Sequence, residues 1–77
     1  MRVTVELQAY LEQYSPNGQS VFEYELPDGA NVDRLVQRLG VPDELASVII
    51  VNDENTGPDH PLQEGDRVTL IPPLAGG

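Results

Sequence analysis

Residues 31–42, NVDRLVQRLGVP, decide the fold because they place one short helix between two pairs of strands. The apolar residues of this segment recur at the spacing of one helical face; they are Val32, Leu35, Val36 and Leu39. Asn31 is suited to cap the helix, since its side chain can accept a hydrogen bond from an unpaired amide. Gly40 followed by Pro42 is a strong stop signal. A helix of about eight residues is too short to be stable alone, so we expect its apolar face to pack on a sheet.

The segment before the helix predicts a β-hairpin. Residues 2–7 (RVTVEL) and 21–26 (VFEYEL) both alternate apolar and polar side chains, which indicates strands with one buried face. Residues 16–18 (PNG) lie between them and supply the turn chemistry. The pattern leaves open whether residues 9–14 (AYLEQY) extend the first strand or form a helical turn.

The segment after the helix predicts two further strands. They are residues 48–51 (VIIV), a β-branched run, and residues 67–71 (RVTLI), separated by the long polar connection 52–66. The fold class is therefore α+β, with one main helix on one face of a mixed sheet of four to five strands. This order is compatible with the ubiquitin-like β-grasp, and we assign residues 1–71 to that domain.

The two later strands leave apolar side chains on their outward face. We expect Ile71 there, together with one alternate pair of residues 48–51. The continuous apolar run does not show whether that pair is Ile49 with Val51 or Val48 with Ile50. We take Ile71, Ile49 and Val51 as the candidate partner interface, because an exposed apolar patch marks a binding surface.

Length and composition restrict the classes of function. A chain of 77 residues accommodates one small domain, and a net charge of -9 argues against binding to nucleic acid or to an anionic membrane. No cysteine is present, which excludes disulfides and thiolate metal sites, and no lysine is present to offer a side-chain amine. The sequence has no signal-peptide pattern and no apolar run of about 20 residues, so we expect a cytoplasmic protein.

A metal site is not expected. Asp53 and Glu64 have the spacing of the first and last ligands of a calcium-binding loop. However, Gly57 and Pro58 occupy positions where such a loop needs a ligand and a sharp-turn glycine. His60 is the single histidine, and one imidazole does not make a metal centre.

The last third of the chain resembles the small ubiquitin-like sulfur carriers of the MoaD and ThiS family. The matching features are VN at 51–52, HPL at 60–62, EGD at 64–66 and PP-x-x-GG at 72–77. Their combination is specific, whereas a Gly-Gly end alone would mean little. The paired prolines make the tail more similar to the molybdopterin synthase small subunit than to the thiamine-pathway carrier.

The resemblance implies a carrier whose terminal carboxylate, at Gly77, is adenylated and converted to a thiocarboxylate. The implied partners are an ATP-dependent activating enzyme, a sulfur donor system and the molybdopterin synthase large subunit or an equivalent acceptor enzyme. Mg-ATP belongs to the activating enzyme, so we expect no tightly bound cofactor and no catalysis by this chain alone. The alternatives are a thiamine-pathway or other sulfur carrier, a protein modifier joined to lysines through Gly77, and a non-catalytic binding module.

Residues 72–77 are predicted to form a flexible tail suited to that chemistry. Gly76 and Gly77 lack a Cβ, so they can enter a narrow channel. The tether before them consists of Pro72, Pro73, Leu74 and Ala75. The prolines restrict the emerging chain, and the six residues could reach roughly 20 Å when extended.

Overall fold

The computed structural model describes residues 1–73, which contain five strands and one α-helix. The elements are β1 (Arg2–Leu7), β2 (Val21–Glu25), α1 (Val32–Leu39), β3 (Val48–Val51), β4 (Glu54–Thr56) and β5 (Arg67–Ile71). Short 3-10 helices occupy Ala9–Tyr14 and Asp43–Leu45. Within residues 1–73, no helix is long and apolar enough to span a bilayer.

The strands form one mixed sheet in the order β2-β1-β5-β3-β4. β1 pairs antiparallel with β2 and parallel with β5, while β3 pairs antiparallel with both β5 and β4. The parallel β1–β5 pair results from the crossover through α1, which brings the last strand beside the first. The predicted α+β class and the β-grasp arrangement are therefore confirmed.

The helix has the caps that its sequence predicts. The side chain of Asn31 accepts a hydrogen bond of 3.0 Å from the backbone amide of Arg34. Gly40 adopts the left-handed conformation, with φ of 78°, and its amide donates to the carbonyl of Gln37 at 3.1 Å. Two of the unpaired backbone groups at the helix ends are thereby satisfied.

The core lies between the sheet and α1. It includes the alternate apolar residues of β1 and β5, namely Val3, Val5, Leu7, Val68 and Leu70. Phe22 and Leu26 are buried as expected, whereas Tyr24 is half-buried. From the helix, Val32, Leu35 and Val36 complete the contact, so the apolar face of α1 is stabilised by packing.

The 3-10 helix Ala9–Tyr14 answers the question that the sequence left open. Ala9 has a φ of 53°, a left-handed conformation that ends the extended run of β1. Leu11 is then completely buried, which holds this turn against the core. Residues 9–14 therefore form a helical turn and do not lengthen the strand.

The polar connection 52–66 contains a strand that the sequence pattern did not predict. Asn52 and Asp53 have φ values of 51° and 71°, as a two-residue I′-type hairpin turn requires. β4 therefore folds back directly on β3. Its sequence, ENT, has no apolar alternation, because its residues are exposed or half-buried at the edge of the sheet.

The predicted outward pair of β3 is wrong. Ile49 and Val51 are buried, with 5% and 3% of their surface exposed, while Val48 and Ile50 are half-buried on the opposite face. The register with β5 explains the choice, because Ile49 pairs with Leu70 and Val51 pairs with Val68. Directly opposed residues of antiparallel strands share a face, so the inward side of β5 determines the inward side of β3.

The packed body continues past β5. Pro72 is buried, whereas Pro73 is exposed. The remaining residues of the predicted tail, Leu74, Ala75, Gly76 and Gly77, lie outside the described residues.

Candidate functional site

The C-terminal tail starts from the middle of the sheet. β5 is the central strand, and its last residue, Ile71, pairs with Val48 of β3. On its other side, the amide of Gln8 donates to the carbonyl of Leu70 at 3.1 Å. The root of the tail, Leu70 and Ile71, is therefore held by β3 on one side and by Gln8, directly after β1, on the other.

An apolar area, the outward patch, lies beside this root. It consists of Val48, Ile50 and Ile71, all half-buried on the face of the sheet opposite α1. Thr69 lies next to Ile50 in the β3–β5 register. Of the three residues predicted for a partner interface, only Ile71 belongs to this patch.

The other half of the same face is acidic. Glu6 of β1 and Glu23 and Glu25 of β2 share it with Arg2, whose guanidinium lies 3.2 Å from Glu25 and 3.4 Å from Glu23. Both ion pairs are exposed, so they contribute little to stability. A partner that covers this face needs an apolar area for the outward patch and a basic area for the carboxylates.

The VN and EGD motifs form one hydrogen-bonded corner. The side chain of Asn52 donates to Asp66 at 2.9 Å and accepts from the amide of Arg67 at 3.0 Å. Asp66 also accepts from the amide of Gln63 at 2.8 Å, and Gly65 has a φ of 84°. These motif residues join the β3–β4 turn to the start of β5, so their role in this chain is structural.

Replacing Asn52 tests that role. We expect Asn52→Ala to lower the free energy of unfolding by about 1–2 kcal/mol, because it removes two hydrogen bonds and places alanine in a left-handed conformation. Asn52→Gly should cost less, since glycine adopts that conformation without strain. Urea unfolding measures both values, and an equal loss in the two variants would contradict the contribution of the backbone conformation.

The HPL motif secures the start of the helix. The carbonyl of His60 accepts from the amide of Val32 at 3.0 Å, and the amide of Leu62 donates to the carbonyl of Ala30 at 3.0 Å. Leu62 is buried, so the segment is fixed to the core. His60 acts here through its backbone, which satisfies one of the free amides at the helix start.

The described residues offer no metal centre. Among residues 1–73, no three His, Asp or Glu side chains are grouped closely enough to hold an ion. Asp53 belongs to the β3–β4 turn, whereas the carboxylate of Glu64 accepts a hydrogen bond of 3.0 Å from the amide of Arg2. The two carboxylates that resemble calcium ligands in spacing therefore serve different parts of the fold.

Comparison with known proteins establishes the family. The family model described as the ThiS family matches residues 8–77. The chain belongs to the ThiS family. This ThiS-family chain is 31% identical to the putative molybdopterin converting factor, subunit 1, of Pyrococcus furiosus, with a TM-score of 0.74. The match covers 95% of this chain and 98% of that one. The resemblance to MoaD and ThiS carriers that the C-terminal motifs predicted is confirmed.

More distant structures share the fold of this ThiS-family chain. SAMP1 of Haloferax volcanii is 20% identical over the whole of both chains, with a TM-score of 0.75. The complex of subunits 1 and 2 of the molybdopterin-converting factor of Helicobacter pylori contains a chain that is 24% identical over the whole of both chains, with a TM-score of 0.61. No protein of curated function matches the chain.

Three features of the site were not predicted from the sequence. The sequence allowed either Val48 with Ile50 or Ile49 with Val51 on the outward face of β3. The register with β5 shows that the outward pair is Val48 with Ile50. The hydroxyl of Tyr10 lies 3.4 Å from the carbonyl of Pro73, a contact between residues 63 positions apart that no local pattern indicates. The burial of Pro72 likewise depends on the packed body and not on the tail sequence.

Proposed function

We propose that this ThiS-family protein carries sulfur as a thiocarboxylate at Gly77. The observation that supports the proposal most strongly is the position of the tail root. The central strand of the sheet ends at Ile71, within the outward patch, and the sequence ends in Gly-Gly six residues later. A partner docked on that patch would receive the last four residues directly in its active site.

The proposed chemistry proceeds in two steps. A carboxylate oxygen of Gly77 attacks the α-phosphorus of ATP, and pyrophosphate leaves, so that the carboxyl group gains AMP as a leaving group. Hydrosulfide (HS⁻) supplied by a donor system then attacks the carbonyl carbon, AMP leaves, and loss of the S–H proton gives the thiocarboxylate. The activating enzyme provides Mg-ATP and the catalytic groups, while this chain binds, orients the tail and acts as carrier and substrate.

The favoured acceptor is a precursor of molybdopterin. The relative from Pyrococcus furiosus is named as a subunit of a molybdopterin converting factor, and the Helicobacter pylori structure is a complex of two such subunits. By analogy, the outward patch and tail of this chain would dock on a large subunit of molybdopterin synthase. A thiamine-pathway carrier would use the same terminal chemistry with a different acceptor enzyme.

Intact-protein mass spectrometry tests the reaction. We expect incubation with the cognate activating enzyme, Mg-ATP and a sulfur donor to replace one oxygen of the protein by sulfur, and fragmentation to locate the change at Gly77. The control without ATP should keep the original mass. A protein that remains unchanged with an enzyme able to activate another carrier would contradict the proposal.

A second candidate, a protein modifier, uses the same activated terminus. It is supported by the structural likeness to SAMP1, a small archaeal modifier protein, although that likeness concerns the fold. The chain has no lysine, so an isopeptide bond would join Gly77 to a lysine of another protein and not to a side chain of a second copy. Covalent adducts that retain the Gly77 linkage in cell extracts would favour this function, and a binding module would form neither adduct nor thiocarboxylate.

A further inference from the structure

Tyr10 is an unusually placed aromatic residue. Its side chain is 46% exposed, and it is one of two large apolar residues in the described part of the chain that are exposed to this degree. Core packing therefore does not account for its position. Its hydroxyl instead lies 3.4 Å from the carbonyl of Pro73, the last described residue before the reactive end.

The backbone brings Tyr10 to this place at a cost. Ala9 adopts a left-handed φ of 53°, which is unfavourable for a residue with a Cβ. The hydrogen bond from Gln8 to Leu70 precedes this turn, and the completely buried Leu11 follows it. Tyr10 is thus fixed between two anchors, above the end of β5.

Few other backbone hydrogen bonds are available to hold the chain directly after β5. Pro72 and Pro73 have no amide hydrogen, so neither can donate a hydrogen bond to the sheet. Pro72 is buried, whereas Pro73 is exposed and offers its carbonyl to a donor. The phenol of Tyr10 is such a donor, although a length of 3.4 Å makes the bond a weak one.

We propose that Tyr10 is a positioning residue for the C-terminal tail. It restricts the backbone at Pro73, so less conformational freedom is lost at that residue when a partner binds the tail. The inference rests on the proposed function, because it assigns to Tyr10 the delivery of Gly77 to the activating enzyme. Tyr10 takes no part in the chemistry itself.

Steady-state kinetics of adenylation, measured as the release of pyrophosphate, test the proposal. With the carrier as the varied substrate, we expect Tyr10→Ala to raise KM about threefold to tenfold and to leave kcat unchanged. Tyr10→Phe, which removes only the hydroxyl, should raise KM about twofold. Gln13→Ala is the matched control, because Gln13 is exposed on the same 3-10 helix, and it should keep the wild-type KM.

A measurement on the free carrier separates positioning from direct contact with the enzyme. We expect the NMR order parameter of the Pro73 side chain to fall in Tyr10→Ala and to stay unchanged in Gln13→Ala. An unchanged order parameter with a raised KM would make Tyr10 a contact residue and overturn the positioning role, as would an unchanged KM. If the wild-type carrier is not adenylated at all, the proposed function fails, which is distinct from failure at Tyr10.

Discussion

Removal of Gly76 and Gly77 is expected to abolish adenylation and thiocarboxylate formation, while the protein stays folded. The carboxylate would still exist, now on Ala75, but it would end two residues short and behind a side chain that carries a Cβ. The deletion keeps the sheet and the core of residues 1–73, so we expect the thermal unfolding midpoint to stay close to that of the wild type. Pyrophosphate release and intact mass measure the loss of activity.

Gly77→Ala is the matched control for that deletion. It keeps the length of the tail and the terminal carboxylate and adds only a methyl group, so a partial loss of activity indicates that the channel requires a slender end. Full activity of the shortened protein would contradict the assignment of Gly77 as the reactive terminus. A shortened protein that is no longer adenylated but still binds the activating enzyme would support a docking surface that is separate from the reactive terminus.

Two neighbouring substitutions on β3 are expected to have opposite consequences. Ile49→Glu places a carboxylate in the core, where Ile49 is 5% exposed, and the cost of several kcal/mol is comparable with the stability of a small domain. We expect this variant to be unfolded by circular dichroism. Ile50→Glu points its charge to the outward patch, so it should fold normally and weaken binding of the activating enzyme at least about tenfold.

Val21→Glu provides the control for the outward patch. Val21 is 44% exposed and lies on the same face as Ile50, but on β2, beside Glu6. It should bind the activating enzyme at least as well as the wild type does, because it adds a carboxylate to the acidic half of the face and leaves the outward patch unchanged. Ile71→Glu, next to the tail root, should weaken binding as Ile50→Glu does. Normal binding by both patch variants would remove the outward patch as the docking surface.

Most of the secondary structure could be predicted because its signals are local. Asn31 and Gly40 cap the helix as their side-chain chemistry indicates, and the alternation of residues 2–7 matches the burial of β1. β4 was not predicted, because this edge strand of three residues has no apolar alternation. Its existence depends on the left-handed turn at Asn52 and Asp53.

The candidate site was only partly predictable. The terminal glycines and the family motifs could be identified from the sequence. In the structure, the motif residues Asn52 and Leu62 stabilise the fold. Ile49 and Val51 were assigned to the wrong face because VIIV is apolar at every position and has no period from which an outward face could be predicted. The buried face of such a strand can be assigned only from its register with a neighbouring strand whose buried face is known.

The sequence by itself determined the types of the main elements, because periodicity and capping act over a few residues, and its C-terminal motifs indicated the family. The tertiary structure alone decided that Ile49 faces the core and Ile50 the opposite face of the sheet, through the register between β3 and β5. It also decided that Tyr10 meets Pro73 across 63 positions of chain. Such contacts join segments that are distant in sequence, so they arise only when the sheet has assembled.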